Sequence, residues 1–76
     1  MISLTLSYYA SLREARGCSE EQIETAAATP AELLAELDLP IAQAHLRASV
    51  NHEFVGWDHP LQAGDVVSFV PPVAGG

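Results

Sequence analysis

The sequence predicts an α+β fold: a mixed sheet of four to five strands with one main helix packed on one face. Three observations lead there. At the start, Ile2, Leu4, Leu6 and Tyr8 alternate with Ser3, Thr5 and Ser7, the period-two pattern of a strand with one buried side. In the middle, Thr29-Pro30-Ala31-Glu32 combines a capping threonine, a proline at the first helical position and a glutamate at the third, and it opens a segment whose Leu33, Leu34 and Leu37 share a face. Near the end, Val66 to Val70 lies between the turn residues Gly64-Asp65 and Pro71-Pro72 and reads as a buried strand. Strands at both ends and one amphipathic helix between them define the class.

The remaining elements follow in order. Residues 9–16 suit a turn or short helix closed by Gly17. A weaker strand over 20–27 has Ile23 as its single large apolar residue, so its glutamates mark an edge strand protected against edge-to-edge pairing. The main helix is expected over 30–38, with Glu32, Glu36 and Asp38 toward solvent and Pro40 as its stop. Ile41 to Leu46 reads as another helical turn, Ala48 to Asn51 as a short strand, Asn51-His52-Glu53 as a turn, and Phe54-Val55 as resumed extended chain. Asp58-His59-Pro60 and Ala63-Gly64-Asp65 are turn signals around Leu61.

This order is that of the ubiquitin-like β-grasp fold. The first and last strands would then lie side by side at the sheet centre, where Leu4, Leu6, Val67 and Phe69 meet the helix leucines. Alternation sends Val66, Ser68 and Val70 to the uncovered face, and the two valines there, with Tyr9 and Phe54, are expected to form an apolar patch suited to a protein partner. Scattered surface apolar residues are the ordinary alternative.

Composition limits the function classes. Seventy-six residues make one small domain, which buries little more than ~60% of its unfolded-chain surface and leaves scant room for an internal active site. With 49% hydrophobic and 17% charged residues the chain is apolar enough to fold. Ten acidic residues against three arginines, with no lysine, give a net charge of −7, which opposes nucleic acid and anionic membrane and favours basic protein surfaces. Cys18 is the one cysteine, so no internal disulfide forms, and the alternating N-terminal residues lack the basic region of a signal peptide; a cytoplasmic protein is expected.

Few constellations suggest side-chain catalysis. Cys18 sits before Ser19-Glu20-Glu21, an acidic setting that disfavours a thiolate. His45, His52 and His59 recur every seven residues, but Asn51, Gly56 and Pro60 break any helix that would stack them, so no metal site is expected. The chemistry points to the tail. Residues 1–72 are expected to form the single domain and 73–76 a flexible tail ending in Gly75-Gly76. Two residues without Cβ can thread a narrow channel in a partner and bring the Gly76 carboxylate to its catalytic groups, and Pro71-Pro72 stiffens the approach.

The segments Leu6-Ser7-Tyr8-Tyr9-Ala10-Ser11-Leu12-Arg13-Glu14, Val50-Asn51-His52-Glu53-Phe54-Val55, Leu61-Gln62-Ala63-Gly64-Asp65 and Phe69-Val70-Pro71-Pro72-Val73-Ala74-Gly75-Gly76 span nearly the whole chain. They resemble the small sulfur-carrier subunits of molybdopterin synthase, within the ubiquitin-like sulfur-carrier family. The Pro-Pro-Val-x-Gly-Gly ending with a Val-Asn turn favours the molybdopterin branch over the thiazole-forming branch; the lack of lysine departs from the usual family composition. The resemblance implies that Gly76, with Gly75 before it, is adenylated and converted to a thiocarboxylate that donates sulfur to a cyclic pyranopterin monophosphate. It implies two partners, the synthase large subunit and an E1-like adenylating enzyme, contacted through Tyr9, Arg13, Phe54, Val70, Pro71, Pro72, Val73 and Ala74. The assembly implied is a heterotetramer. The chain itself would bind no cofactor or metal; ATP and Mg²⁺ would be used by the adenylating partner and the catalytic side chains would lie on the large subunit. A thiazole-type sulfur carrier, a ubiquitin-like protein modifier and a β-grasp interaction module remain alternatives, the last distinguished by indifference to changes at Gly76.

Overall fold

The structure is a computed structural model that describes residues 1–8, 10–37 and 43–70, with only the backbone of Ala10 and Ser11. Strand β1 (Ile2–Tyr8) leads through helix α1 (Ala10–Arg16) to β2 (Glu20–Thr25), then helix α2 (Pro30–Leu37), a 3-10 turn (Gln43–His45), β3 (Arg47–Val50), β4 (Glu53–Val55) and β5 (Val66–Val70). The five strands form one sheet in the order β2-β1-β5-β3-β4. β1 and β5 are parallel and central, with Leu6 beside Val67 and Tyr8 beside Phe69. The other pairings are antiparallel, and β2 is an edge strand as its charges led one to expect.

Alternation decides what each strand buries. Leu4, Leu6 and Tyr8 of β1, Ala48 and Val50 of β3, and Val67 and Phe69 of β5 are buried with Leu12 of α1 and Leu33 and Leu34 of α2. Trp57 supplies the wall that periodicity could not indicate: it follows β4 in an irregular segment and stacks on Phe69 with ring centroids 5.8 Å apart and planes 9° apart. Leu61 packs against the same core, and its N–H donates to the Ala28 carbonyl at 2.9 Å.

Local chemistry sets the boundaries. Gly17 closes α1 at φ +76°, and its N–H donates to the Arg13 carbonyl at 3.0 Å. β2 ends at Thr25, two residues short of the expected limit. Thr25 turns its hydroxyl into local work there, donating to the Glu36 carboxylate and accepting the Ala27 N–H at 3.0 Å, so the chain bends out of the ladder. At the start of α2, the Thr29 hydroxyl accepts the Glu32 N–H at 3.3 Å, while the Glu32 carboxylate reaches the Ala28 N–H at 3.0 Å, one residue further back than in the usual reciprocal box. Asp38, Pro40 and Ile41 lie outside the described residues. The β3–β4 loop is tighter than expected: Asn51 (φ 52°) and His52 (φ 71°) form a two-residue turn and Glu53 already belongs to β4, opposite Val50. Two consecutive left-handed residues match the right-handed twist of the flanking strands.

Candidate functional site

The sheet face opposite the core is built by the same alternation. Register places Glu20, Ser7, Ser68, Ser49 and Phe54 in one row across all five strands. Ser68 and Ser49 are only 3% and 8% exposed. The row ends in an aromatic ring. Phe54 is 55% exposed, far more than a ring at a settled core position.

Around Phe54 the face is hollowed. Ser49, His52, Phe54 and Val70 line an open depression of about 280 Å³. β3 contributes Ser49 opposite the ring, the tight turn contributes His52, and Val70 closes the depression from the last position of β5. Arg47 stands opposite Val70 and lays its guanidinium carbon 3.9 Å from the centre of the Phe54 ring. Of the expected partner-contact residues, the structure therefore brings Phe54 and Val70 together. Arg13 is exposed on α1, which leaves β1 at the end of the sheet where β5 also ends, but it does not line the hollow. Tyr9, Pro71, Pro72, Val73, Ala74, Gly75 and Gly76 lie outside the described residues.

Arg47, Ser49 and His52 were not among the expected contacts. Their signal was present in the register. Once Asn51 and His52 are read as a two-residue turn, Ser49 must face Phe54, and β3 carries Arg47 on the same side two residues earlier.

A second polar cluster lies where α1, β1 and β2 meet. The Tyr8 hydroxyl donates to Glu21 Oε1 at 2.7 Å, and Arg16 donates to the same oxygen at 2.7 Å while lying 5.9 Å from the Tyr8 ring centre. Burial, then the hydrogen bond to the Glu21 carboxylate, pushes the Tyr8 hydroxyl well above its ordinary range. Glu21 is held below the usual carboxylate range, first by the Tyr8 hydrogen bond and then by Arg16. This cluster ties α1 to the β2 edge.

Cys18 packs half-buried against the core. His45, His52 and His59 fall in a 3-10 turn, a hairpin turn and a loop, and no group of three or more His, Cys, Asp or Glu among the described residues is arranged to hold a metal ion. Among the same residues no helix is long and apolar enough to cross a membrane. The arrangement brings together a ring, a hollow and a cation beside the point where β5 ends.

A mixed five-stranded sheet with parallel first and last strands at its centre and one main helix on one face defines a ubiquitin-like β-grasp domain. The chain belongs to the ThiS family, which it matches over residues 6–76. It is 36% identical to the molybdopterin synthase sulfur carrier subunit of Escherichia coli (strain K12), over 91% of this chain and 94% of that one. Among solved structures it resembles a molybdopterin converting factor subunit 1 from Pyrococcus furiosus, with a TM-score of 0.77 and 26% identity over 96% of this chain and 100% of the other. It also resembles a chain in the complex of subunits 1 and 2 of the molybdopterin-converting factor from Helicobacter pylori, with a TM-score of 0.71 and 25% identity over 99% of this chain and 100% of that one.

Proposed function

We propose that this chain is the sulfur-carrying small subunit of a molybdopterin synthase. The observation that carries the reading is the family match, which runs through the last residue, Gly76; the 36% identity to the E. coli sulfur carrier subunit narrows it to the molybdopterin branch. The docking face fits the role, because a carrier must be held by its partners while its C-terminus reacts elsewhere. The pairing of subunits 1 and 2 in the H. pylori complex is the template for that assembly.

The chemistry starts from an inert group. A carboxylate accepts sulfur poorly because oxide would have to leave. In an adenylating partner the Gly76 carboxylate attacks the α-phosphorus of ATP, pyrophosphate departs, and an acyl adenylate forms. The terminal sulfur of a persulfide then attacks the acyl carbon and AMP leaves with its electron pair. A second thiol on the donor attacks the S–S bond of the resulting acyl disulfide, which leaves a thiocarboxylate on Gly76 and a disulfide on the donor. Docked in the large subunit, the thiocarboxylate delivers sulfur to a cyclic pyranopterin monophosphate, and hydrolysis restores the carboxylate. Two carriers supply one dithiolene. This chain's contribution is positional: Phe54 and Val70 dock it, and the six residues from Pro71 to Gly76 can span at most roughly 20 Å when fully extended, at ~3.3–3.6 Å per residue.

The test is intact-mass spectrometry after incubation with ATP, Mg²⁺, the adenylating enzyme and a sulfur source. Replacement of one oxygen by sulfur is expected, followed by dithiolene formation when the large subunit and pterin precursor are added. A product confined to thiazole synthesis, or an isopeptide bond to a protein lysine, would overturn the assignment in favour of the corresponding alternative.

A further inference from the structure

The uncovered face is electrically lopsided. Among the described residues, Arg47 is the one basic side chain in any of the five strands. The opposite margin carries Glu20 and Glu24 on β2, which register places on this same face, opposite Ser7 and Ser3. Between the two margins lie Thr5, Ser7, Ser68 and Ser49, none of them charged. In a chain of net charge −7, a partner surface attracted to the whole would be basic, and Arg47 would be the local exception.

Arg47 is also poised for an acceptor. Arg16 is engaged with Glu21 at 2.7 Å, whereas no hydrogen bond or ion pair among the described residues engages the Arg47 guanidinium. Its position over the Phe54 ring limits its freedom before any partner arrives. A guanidinium resting on a ring keeps the N–H groups in its own plane available for a carboxylate.

Resting on the sulfur-carrier reading above, we infer that Arg47 sets the orientation of docking by pairing with a carboxylate of the synthase large subunit at the rim of an apolar contact with Phe54 and Val70. The complementary surface is basic toward β2 and has an aspartate or glutamate toward β4, next to an apolar side chain that fills the hollow. The reversed pose sets that acid against Glu20 and Glu24 and a basic group against Arg47, so like charges reject it.

The experiment is calorimetric titration of the full-length chain into the large subunit from the same source, at low and high salt, with wild type, Arg47→Gln, Arg47→Glu and Val70→Asp. Arg47→Glu should weaken binding by about tenfold or more at low salt. Arg47→Gln should weaken it less, the loss for both should shrink with salt, and thermal melts should stay near wild type. Should Arg47→Glu fail to fold, Arg47→Gln and its salt dependence decide alone. Changing the matching acid of the large subunit to lysine should restore binding of Arg47→Glu. Wild-type affinity for Arg47→Glu alongside weakened Val70→Asp would overturn the inference and leave the docking face standing. If neither variant weakens binding, the docking face falls as well. Weakening by Arg47→Glu without any by Val70→Asp would overturn the placement at the rim of the hollow, and a loss seen only with the adenylating enzyme would overturn the choice of partner.

Discussion

Asn51 and Val66 clasp each other through two hydrogen bonds: the Asn51 N–H donates to the Val66 carbonyl at 2.7 Å, and the Val66 N–H donates to Asn51 Oδ1 at 3.0 Å. Asn51 Nδ2 adds a bond to Asp65 at 3.1 Å. The side chain thus acts as one more rung between the β3–β4 turn and the start of β5, and asparagine also tolerates the left-handed backbone that the turn imposes. Asn51→Ala should lose both advantages and cost about 1–3 kcal/mol. Asn51→Gly keeps the backbone freedom, so urea melts should place it between alanine and wild type. Equal loss for both variants would show that only the side-chain bonds matter.

Phe69 is 1% exposed and stacked on Trp57. Phe69→Ala opens a cavity against the only tryptophan of the chain and should cost about 3–5 kcal/mol, a large share of the ~5–15 kcal/mol that small domains possess. Trp57 fluorescence reports the loss directly. A denaturation midpoint close to wild type would mean that the Trp57–Phe69 contact contributes little to the core.

How far the sequence alone reaches can be read from such pairs. Alternation along 2–8 and 66–70 names the residues that meet in the core, because a strand has only two faces. Its reach ends where a contact depends on pairing between distant segments. Trp57 lies in a loop without period, so nothing in its neighbourhood points to Phe69. The Thr25 bond to Glu36, which shortens β2, joins an edge strand to a helix. Arg47 over Phe54 required the turn to be counted correctly, since assigning Glu53 to the turn obscures the pairing of β3 with β4. Phe54 and Val70 were legible because an apolar side chain that alternation sends to an uncovered face must meet either solvent or a partner. Arg47, Ser49 and His52 are at home in water, so their residue types carried no such signal.

The Tyr8, Glu21 and Arg16 cluster predicts opposite pH effects from its two acids. Glu21 has a depressed folded-state pKa, so its stabilisation is present above its ordinary value of 4.5 and is lost as pH falls through the folded value. Tyr8 has a raised pKa, so its stabilisation is present below its ordinary value of 10.0 and is lost as pH rises toward the folded value. Glu21→Gln should flatten the acid limb of a plot of melting temperature against pH, and Tyr8→Phe should flatten the alkaline limb. A Tyr8→Phe profile that keeps the wild-type alkaline decline would assign that decline to other groups.

The final prediction concerns the tail and separates carrier chemistry from mere docking. Deleting Gly76, or adding one alanine after it, should abolish thiocarboxylate formation while leaving the melting temperature unchanged, because Gly76 lies six residues beyond Val70, where β5 ends. Deletion shortens the arm by ~3.3–3.6 Å, as much as the ~3–3.5 Å separation that reacting atoms need, so the carboxylate falls short of the nucleotide. Extension fails for a different reason: the free carboxylate is carried past the nucleotide, and a Cβ enters a channel suited to glycine. Calorimetric binding to the large subunit should survive both changes if Phe54 and Val70 carry the docking energy, which makes the split between binding and sulfur transfer the decisive readout. Should either variant still acquire sulfur and support dithiolene formation at the native rate, the Gly76 carboxylate is not the reacting group, and an interaction module without C-terminal chemistry becomes the better account of this domain.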